Sequence, residues 1–184
     1  MVLRYFFLKE KCKMKNLNKL SLAGILIAVG VVCSPISVPI GAAKCFPVQH
    51  IINVMASVLL GPAYAVIMAF ITSFIRVVTG TGTLLAFPGS MVGALCGGLL
   101  YQYGNKLIFA AIGEVVGTAV LGAIAAYPVA AWLMGRNAAI FGFVVPFLIS
   151  TAVGSSVAVI IIQALKKAGV LKIKTRKEGE HVGS

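Results

Sequence analysis

Between Leu20 and Leu165 the only charged side chains are Lys44, Arg76, Lys106, Glu114 and Arg136. A water-facing domain of that length cannot be coated with so few charges, because soluble domains carry about 25% charged residues. Over all 184 residues the charged fraction is 11%, the apolar fraction 60% and the mean hydropathy +1.03. The composition therefore predicts an all-α integral membrane protein of the cell membrane. The four carboxylates are Glu10, Glu114, Glu178 and Glu180. They are too few for a carboxylate-rich metal cage or a paired acid/base enzyme.

A net charge of +12 would suit a nucleic-acid binder if the charges formed a patch. They do not. Arg4, Lys9, Lys11, Lys13, Lys15 and Lys19 precede the first apolar run, and Lys166, Lys167, Lys172, Lys174, Arg176 and Lys177 follow the last. By the positive-inside rule both tails are expected in the cytoplasm, as a solvated orientation signal in preference to a specific anionic-lipid site. Two cytoplasmic ends require an even number of crossings.

Roughly 20 apolar residues span a bilayer core. Gly, Pro and charge divide the chain into runs at about Leu17 to Cys33, Phe46 to Leu60, Ala63 to Val78, Pro88 to Tyr103, Leu107 to Met134 and Ala138 to Leu165. These six agree with the even count. The expected organisation is a basic tail at 1–16, a six-transmembrane-helix bundle at 17–165 and a basic tail at 166–184. Segments 34–45, 79–88 and 135–137 then face outward, with Ser37–Lys44 an irregular loop. The connections at 61–62 and 104–106 are tight cytoplasmic turns. A basic start, a short apolar run and Gly41-Ala42-Ala43 also resemble a secretory signal. Cleavage there would leave five helices and set the ends on opposite sides, against the basic C-terminal tail. Met14 is a second candidate start.

Helices in lipid associate through small residues four apart. Gly24/Ala28, Gly93/Gly97 and Gly113/Gly117 have that spacing; for the last two pairs the expectation is packing within the bundle. Polar residues at membrane depth cost more and carry more information. Gln49, Asn53 and Ser57 recur every fourth residue on the second helix, with His50 adjacent. Glu114 and Thr118 share a face of the fifth. Glu114 is either a ligand contact or a hydrogen-bonding tie between helices, and His50 and Asn53 carry the same two readings. Arg76, near the outer end of the third helix, is expected to snorkel to the surface. Tyr101, Tyr103, Tyr127 and Trp132 fall near the expected interfaces as aromatic anchors. Cys12, Cys33, Cys45 and Cys96 have no metal-ligand spacing. They read as isolated thiols, although Cys33 and Cys45 share the outer side and could pair.

There is no GxxxxGK[ST] phosphate loop and no HExxH motif in the sequence. No metal or cofactor is expected. Physical chemistry alone thus reaches a compact membrane bundle with an outward polar pocket.

Several segments resemble a known family. LAGILIA at Leu22–Ala28, FPVQHIINV at Phe46–Val54, LLGP at Leu59–Pro62, GTGTLLAFPGSMVGAL at Gly80–Leu95 and GEVVGT at Gly113–Thr118 are similar to the ThiW family. Members are substrate-binding (S) components of energy-coupling factor transporters, associated with uptake of a thiamine precursor, hydroxyethylthiazole. The resemblance implies a non-enzymatic chain that binds ligand, with a transmembrane scaffold subunit and two ATPase subunits supplying the power stroke. It implies that Gly24 and Ala28 stand where the family has an AxxxA-type face toward the scaffold, the first position departing to glycine. The candidate ligand contacts are Gln49, His50, Asn53, Phe87, Ser90, Glu114 and Thr118, with Phe87 stacking on the ring. Two other readings stay open: an S component for another small ligand such as a hydroxymethylpyrimidine, and a small membrane enzyme or assembly factor using Glu114. So few titratable groups argue against the last.

Overall fold

The computed structural model describes residues 2–40, 43–133 and 143–171, and within them the side chains from Leu17 onward except those at 39, 40, 43, 44 and 133. The turn at Gly135-Arg136-Asn137, the basic stretch from Lys172 and the side chains of the N-terminal tail, Cys12 included, lie outside that description.

Six helices make up the described residues, in the order α1 (Val2–Val32), α2 (Pro47–Leu59), α3 (Pro62–Val78), α4 (Ala86–Gly104), α5 and α6 (Val144–Lys167). The fifth is composite. It starts as an α-helix at Leu107–Val116, widens into π-helical turns at Gly117–Gly122, tightens again at Ala123–Pro128 and ends in π-helical Val129–Leu133. Pro128 lies inside this rod and has no N–H to donate, so the regular ladder is interrupted there.

The boundaries follow local chemistry. Pro47 and Pro62 each open a helix, where a missing N–H costs nothing. Gly61, at φ 93°, supplies the left-handed turn between α2 and α3. Asn105, at φ 50°, closes α4, since asparagine tolerates the left-handed region. Lys166 and Lys167 occupy the last turn of α6, where cations favour the helix dipole. Between α1 and α2 the expected irregular loop is instead an antiparallel pair, Val38–Ile40 with Ala43–Cys45. Helix α1 also runs back through the expected N-terminal tail to Val2.

Helix α2 is the centre of the bundle: it touches each of the other five helices, whereas α1 rests on α2 and α3 alone among the stronger contacts. Helices α4 and α5 meet along their glycines. A Cβ on Gly113 would stand 2.6 Å from the Cys96 carbonyl oxygen, and one on Gly117 would stand 2.8 Å from the Cys96 Cβ. Backbones can approach that closely only where side chains are absent. Apolar clusters complete the interior. Ala23, Leu26, Ile52 and Met68 join α1 to α2 and α3, while Leu85, Ala123, Ala126, Phe143 and Phe147 close the end that carries the β pair.

The surface is apolar and the interior partly polar. Ile25, Ile67, Phe74, Ile108, Val145 and Ile160 are exposed, while Gln49, Asn53, Arg76, Glu114 and Thr118 are buried. That inversion suits a hydrocarbon surrounding, in which outward apolar side chains cost nothing and polar ones must pair inside. By length and composition Leu107–Trp132 and Val144–Lys167 qualify as membrane spans, and Leu17–Val32, Pro47–Leu59 and Pro62–Val78 are shorter apolar helices.

Candidate functional site

The polar stripe on α2 turns inward, because α2 is surrounded by other helices. At its centre stands Glu114 of α5, fully buried. His50 Nδ1 lies 2.8 Å from Glu114 Oε1, and Asn53 Nδ2 donates to the same oxygen at 2.9 Å. Thr118, one turn along α5, reaches it at 3.5 Å. With Nδ1 carrying the proton, His50 donates too, and Oε1 is shared among three donors. Glu114 Oε2 has no partner among the described residues. The carboxylate fits because α4 has a glycine opposite: a Cβ on Gly93 would lie 3.0 Å from the Glu114 Cδ.

Asn53 also ties α2 to α4, donating to the Ser90 carbonyl at 3.1 Å. The Ser90 hydroxyl donates to the Ala86 carbonyl at 2.6 Å and accepts from Ser73 of α3 at 3.0 Å. Lower on α2, Ser57 donates to the Ala94 carbonyl at 3.1 Å. Four helices are thus linked through neutral and charged polar side chains in an otherwise apolar bundle.

Between this network and the β-pair end lies a cavity of about 30 Å³, room for roughly two water molecules. Gln49, His50, Ser90 and Thr118 line it, together with Phe46, Phe147 and residues of the α3–α4 connection. Asn53 and Glu114 stand behind that wall and hold His50 and Ser90 in place. Phe87 is not in the lining: its ring packs against Phe70, with centroids 5.5 Å apart. Gly24 and Ala28 are not in the cavity lining but on an exposed face of α1, and nothing lies within 4 Å of where a Gly24 Cβ would be.

Arg76 does not snorkel. It is 1% exposed, donates through Nη1 to Gln49 Oε1 and places its guanidinium carbon 3.7 Å from the centre of the Phe46 ring. The Thr79–Gly82 turn folds back over it: Gly82 N donates to the Arg76 carbonyl at 2.8 Å, and a Cβ on Gly82 would meet the Arg76 Cβ at 3.0 Å. The side chain therefore has no route to the surface at that end and points into the cavity. Sequence reasoning missed Arg76, Phe46 and Ser150 as parts of this region. The signal available for Arg76 was the second polar face it shares with Thr72 and Ser73 along α3.

The cysteines are separate. Cys33, Cys45 and Cys96 are free thiols. Burial pushes the Cys45 thiol up, opposed by a backbone hydrogen bond at Ser150, and the protonated thiol donates to the Pro146 carbonyl at 3.0 Å. No group of His, Cys, Asp or Glu that could hold a metal ion occurs among the described residues.

A bundle with an apolar exterior, a buried carboxylate network and a small mixed cavity has the parts of a small-molecule binding protein rather than of a catalyst. Comparison with curated proteins and with solved structures returned no match. Comparison with family models did: the thiamine-precursor transporter protein family (ThiW) matches residues 20–168, most of the chain and all of the described site. The chain belongs to that family, a family of membrane transporters and not of enzymes.

Proposed function

We propose that this protein is the S component of an energy-coupling factor transporter, taking up hydroxyethylthiazole. Membership of a thiamine-precursor transporter family is the observation that carries this reading. The absence of any phosphate loop in the sequence supports a division of labour in which two separate ATPase subunits work through a transmembrane scaffold. In this reading the domain at 17–165 crosses the cell membrane six times, both basic tails are cytoplasmic, and the β-pair end faces outward. Gly24 and Ala28, small and exposed, form the contact with the scaffold helix.

The ligand site is the cavity lined by Gln49, His50, Ser90 and Thr118, with Asn53 and Glu114 as its support. Phe46 and Phe147 supply an apolar wall for a heteroaromatic ring, and His50, with Nδ1 engaged, has Nε2 left for a polar partner. Phe87 enters the site only if its packing on Phe70 gives way. Thr83 and Leu85 of the α3–α4 connection complete the lining of this cavity. Hydroxymethylpyrimidine is the second ligand the same wall would suit.

The test is thermal stabilisation of the detergent-purified protein by a panel of thiamine precursors. Hydroxyethylthiazole is expected to raise the melting temperature most, through preferential binding to the folded state. Stabilisation by the pyrimidine alone would reassign the ligand, and stabilisation by neither would remove the thiamine-precursor assignment.

A further inference from the structure

Buried arginines are normally surrounded by acceptors, because each unmet N–H and the charge itself carry a desolvation cost. Arg76 is 1% exposed, yet only Nη1 has a hydrogen-bond partner; Nε and Nη2 have none among the described residues. The two free nitrogens are not a random pair. On a guanidinium, Nε–H and Nη2–H point the same way from one edge and form the side-on fork that receives two lone pairs in parallel. Gln49 engages Nη1 and the Phe46 ring covers one face, which leaves the Nε/Nη2 edge as the side on which both nitrogens lack a partner among the described residues.

Nothing among the described residues answers it. The one close side-chain contact between a basic and an acidic residue among the described residues is His50 with Glu114. Glu114 Oε1 takes donors from α2 and α5; Oε2 is without a partner among the described residues, but it makes no ion pair or hydrogen bond with Arg76, and Glu114 is not in the cavity lining, whereas Arg76 is. The Thr79–Gly82 turn closes over the arginine stem, and Thr81 Oγ1 and Gly82 N both donate to the Arg76 carbonyl. The side chain is therefore fixed in the cavity with its fork unmet and its charge unpaired.

We propose that Arg76 is the residue that selects the ligand: its Nε/Nη2 edge receives an oxygen acceptor at the end of the ligand's side chain, and its charge rejects ligands that are themselves cations. This rests on the thiamine-precursor reading above and narrows it to a class. The substrate is a neutral or anionic heteroaromatic bearing a terminal alcohol or its phosphate ester. A quaternised, permanently positive ring is excluded. Alcohol and phosphate share the oxygen acceptor, and the experiment separates them.

The full-length protein in detergent is titrated calorimetrically with four probes. They are hydroxyethylthiazole, its phosphate monoester, the ethylthiazole that lacks the oxygen, and the N-methylated cation of the alcohol. In the unmodified protein, loss of the oxygen is expected to weaken binding by about 10–100-fold. The N-methyl cation should bind at least about 10-fold more weakly than the neutral alcohol. Whichever of alcohol and phosphate binds more tightly identifies the physiological form. In Arg76→Gln the oxygen-bearing and oxygen-free probes should bind equally, and the cation should recover. Arg76→Lys retains the charge without the fork, so it should keep the discrimination against the cation while losing most of the preference for oxygen. It also serves as the second variant should Arg76→Gln fail to fold, with the melting temperature as the check. An oxygen preference of the same size in the unmodified protein and in both variants overturns the role of Arg76 and leaves the thiamine-precursor reading standing. No binding of any probe by the unmodified protein overturns both.

Discussion

The seam between α4 and α5 and the outer face of α1 carry the same sequence pattern and meet opposite fates. Gly93/Gly97 and Gly113/Gly117 are buried against each other, so closely that a Cβ on Gly113 would fall within 3 Å of the α4 backbone. Gly24 and Ala28 have identical spacing and are exposed, while α1 makes its own contacts through Ala23, Leu26 and Gly30 on the other side. Small residues four apart therefore specify close approach without saying to what. In the first case the partner is another helix of the chain. In the second, among the described residues, none is present.

The largest effect is expected at the seam. Gly113→Leu forces a branched side chain into backbone atoms of Cys96 and Gly97, which cannot yield as a side chain would. Destabilisation of about 3 kcal/mol or more is expected, seen as loss of monodisperse protein after detergent extraction. If this variant purifies with an unchanged melting temperature, the seam is not packed as described.

On α1 the same enlargement should spare the fold and remove the function. Gly24→Leu with Ala28→Leu is expected to leave melting temperature and ligand affinity unchanged while abolishing uptake in cells that contain an intact scaffold, because the added side chains hold a partner helix away. Robust uptake by the double variant would mean that α1 is not the coupling face.

The smallest effect is expected inside the seam, where Gly93 leaves room for the Glu114 carboxylate. Asn53→Ala removes donors to Glu114 and to the Ser90 carbonyl, and Glu114→Gln removes the charge that His50 and Asn53 address. Each is expected to weaken ligand binding by roughly 1–3 kcal/mol, with a smaller change in folding. Unchanged affinity in both, by isothermal titration, would make the network a tie between helices and move the search for contacts to the connections at the β-pair end.

Helix limits were legible in the sequence wherever a single residue sets them. Gly61-Pro62 and Gly104-Asn105 punctuate the chain locally, and the structure turns at both. The polar stripe on α2 was equally legible, since a period of four is a property of one helix. What could not be read are relations across the chain. The expectation for Arg76 rested on its depth alone, but its surroundings are set by Gln49 and Phe46, far away in sequence and brought close by the packing of α2 on α3. His50 and Glu114 were both singled out, yet their pairing joins residues 64 positions apart. The β pair escaped notice because three-residue strands with Pro39 among them carry no alternating signal. The π-helical turns of α5 leave no mark on composition at all.

Those turns divide α5 into two phases. A π turn accommodates one residue more than an α turn, so Gly117–Gly122 acts on the rod as a built-in insertion. Residues before it are set by the need to aim Glu114 at His50 and Asn53. Residues after it are set by the need to seat Ala123 and Ala126 against Phe143 and Phe147. Rewinding the wide turns as uniform α-helix with every residue kept would swing everything beyond them by about 100° relative to Glu114. The carboxylate and the aromatic cluster could then no longer both face inward. The irregular backbone is what allows one helix to serve two separately registered halves of the bundle.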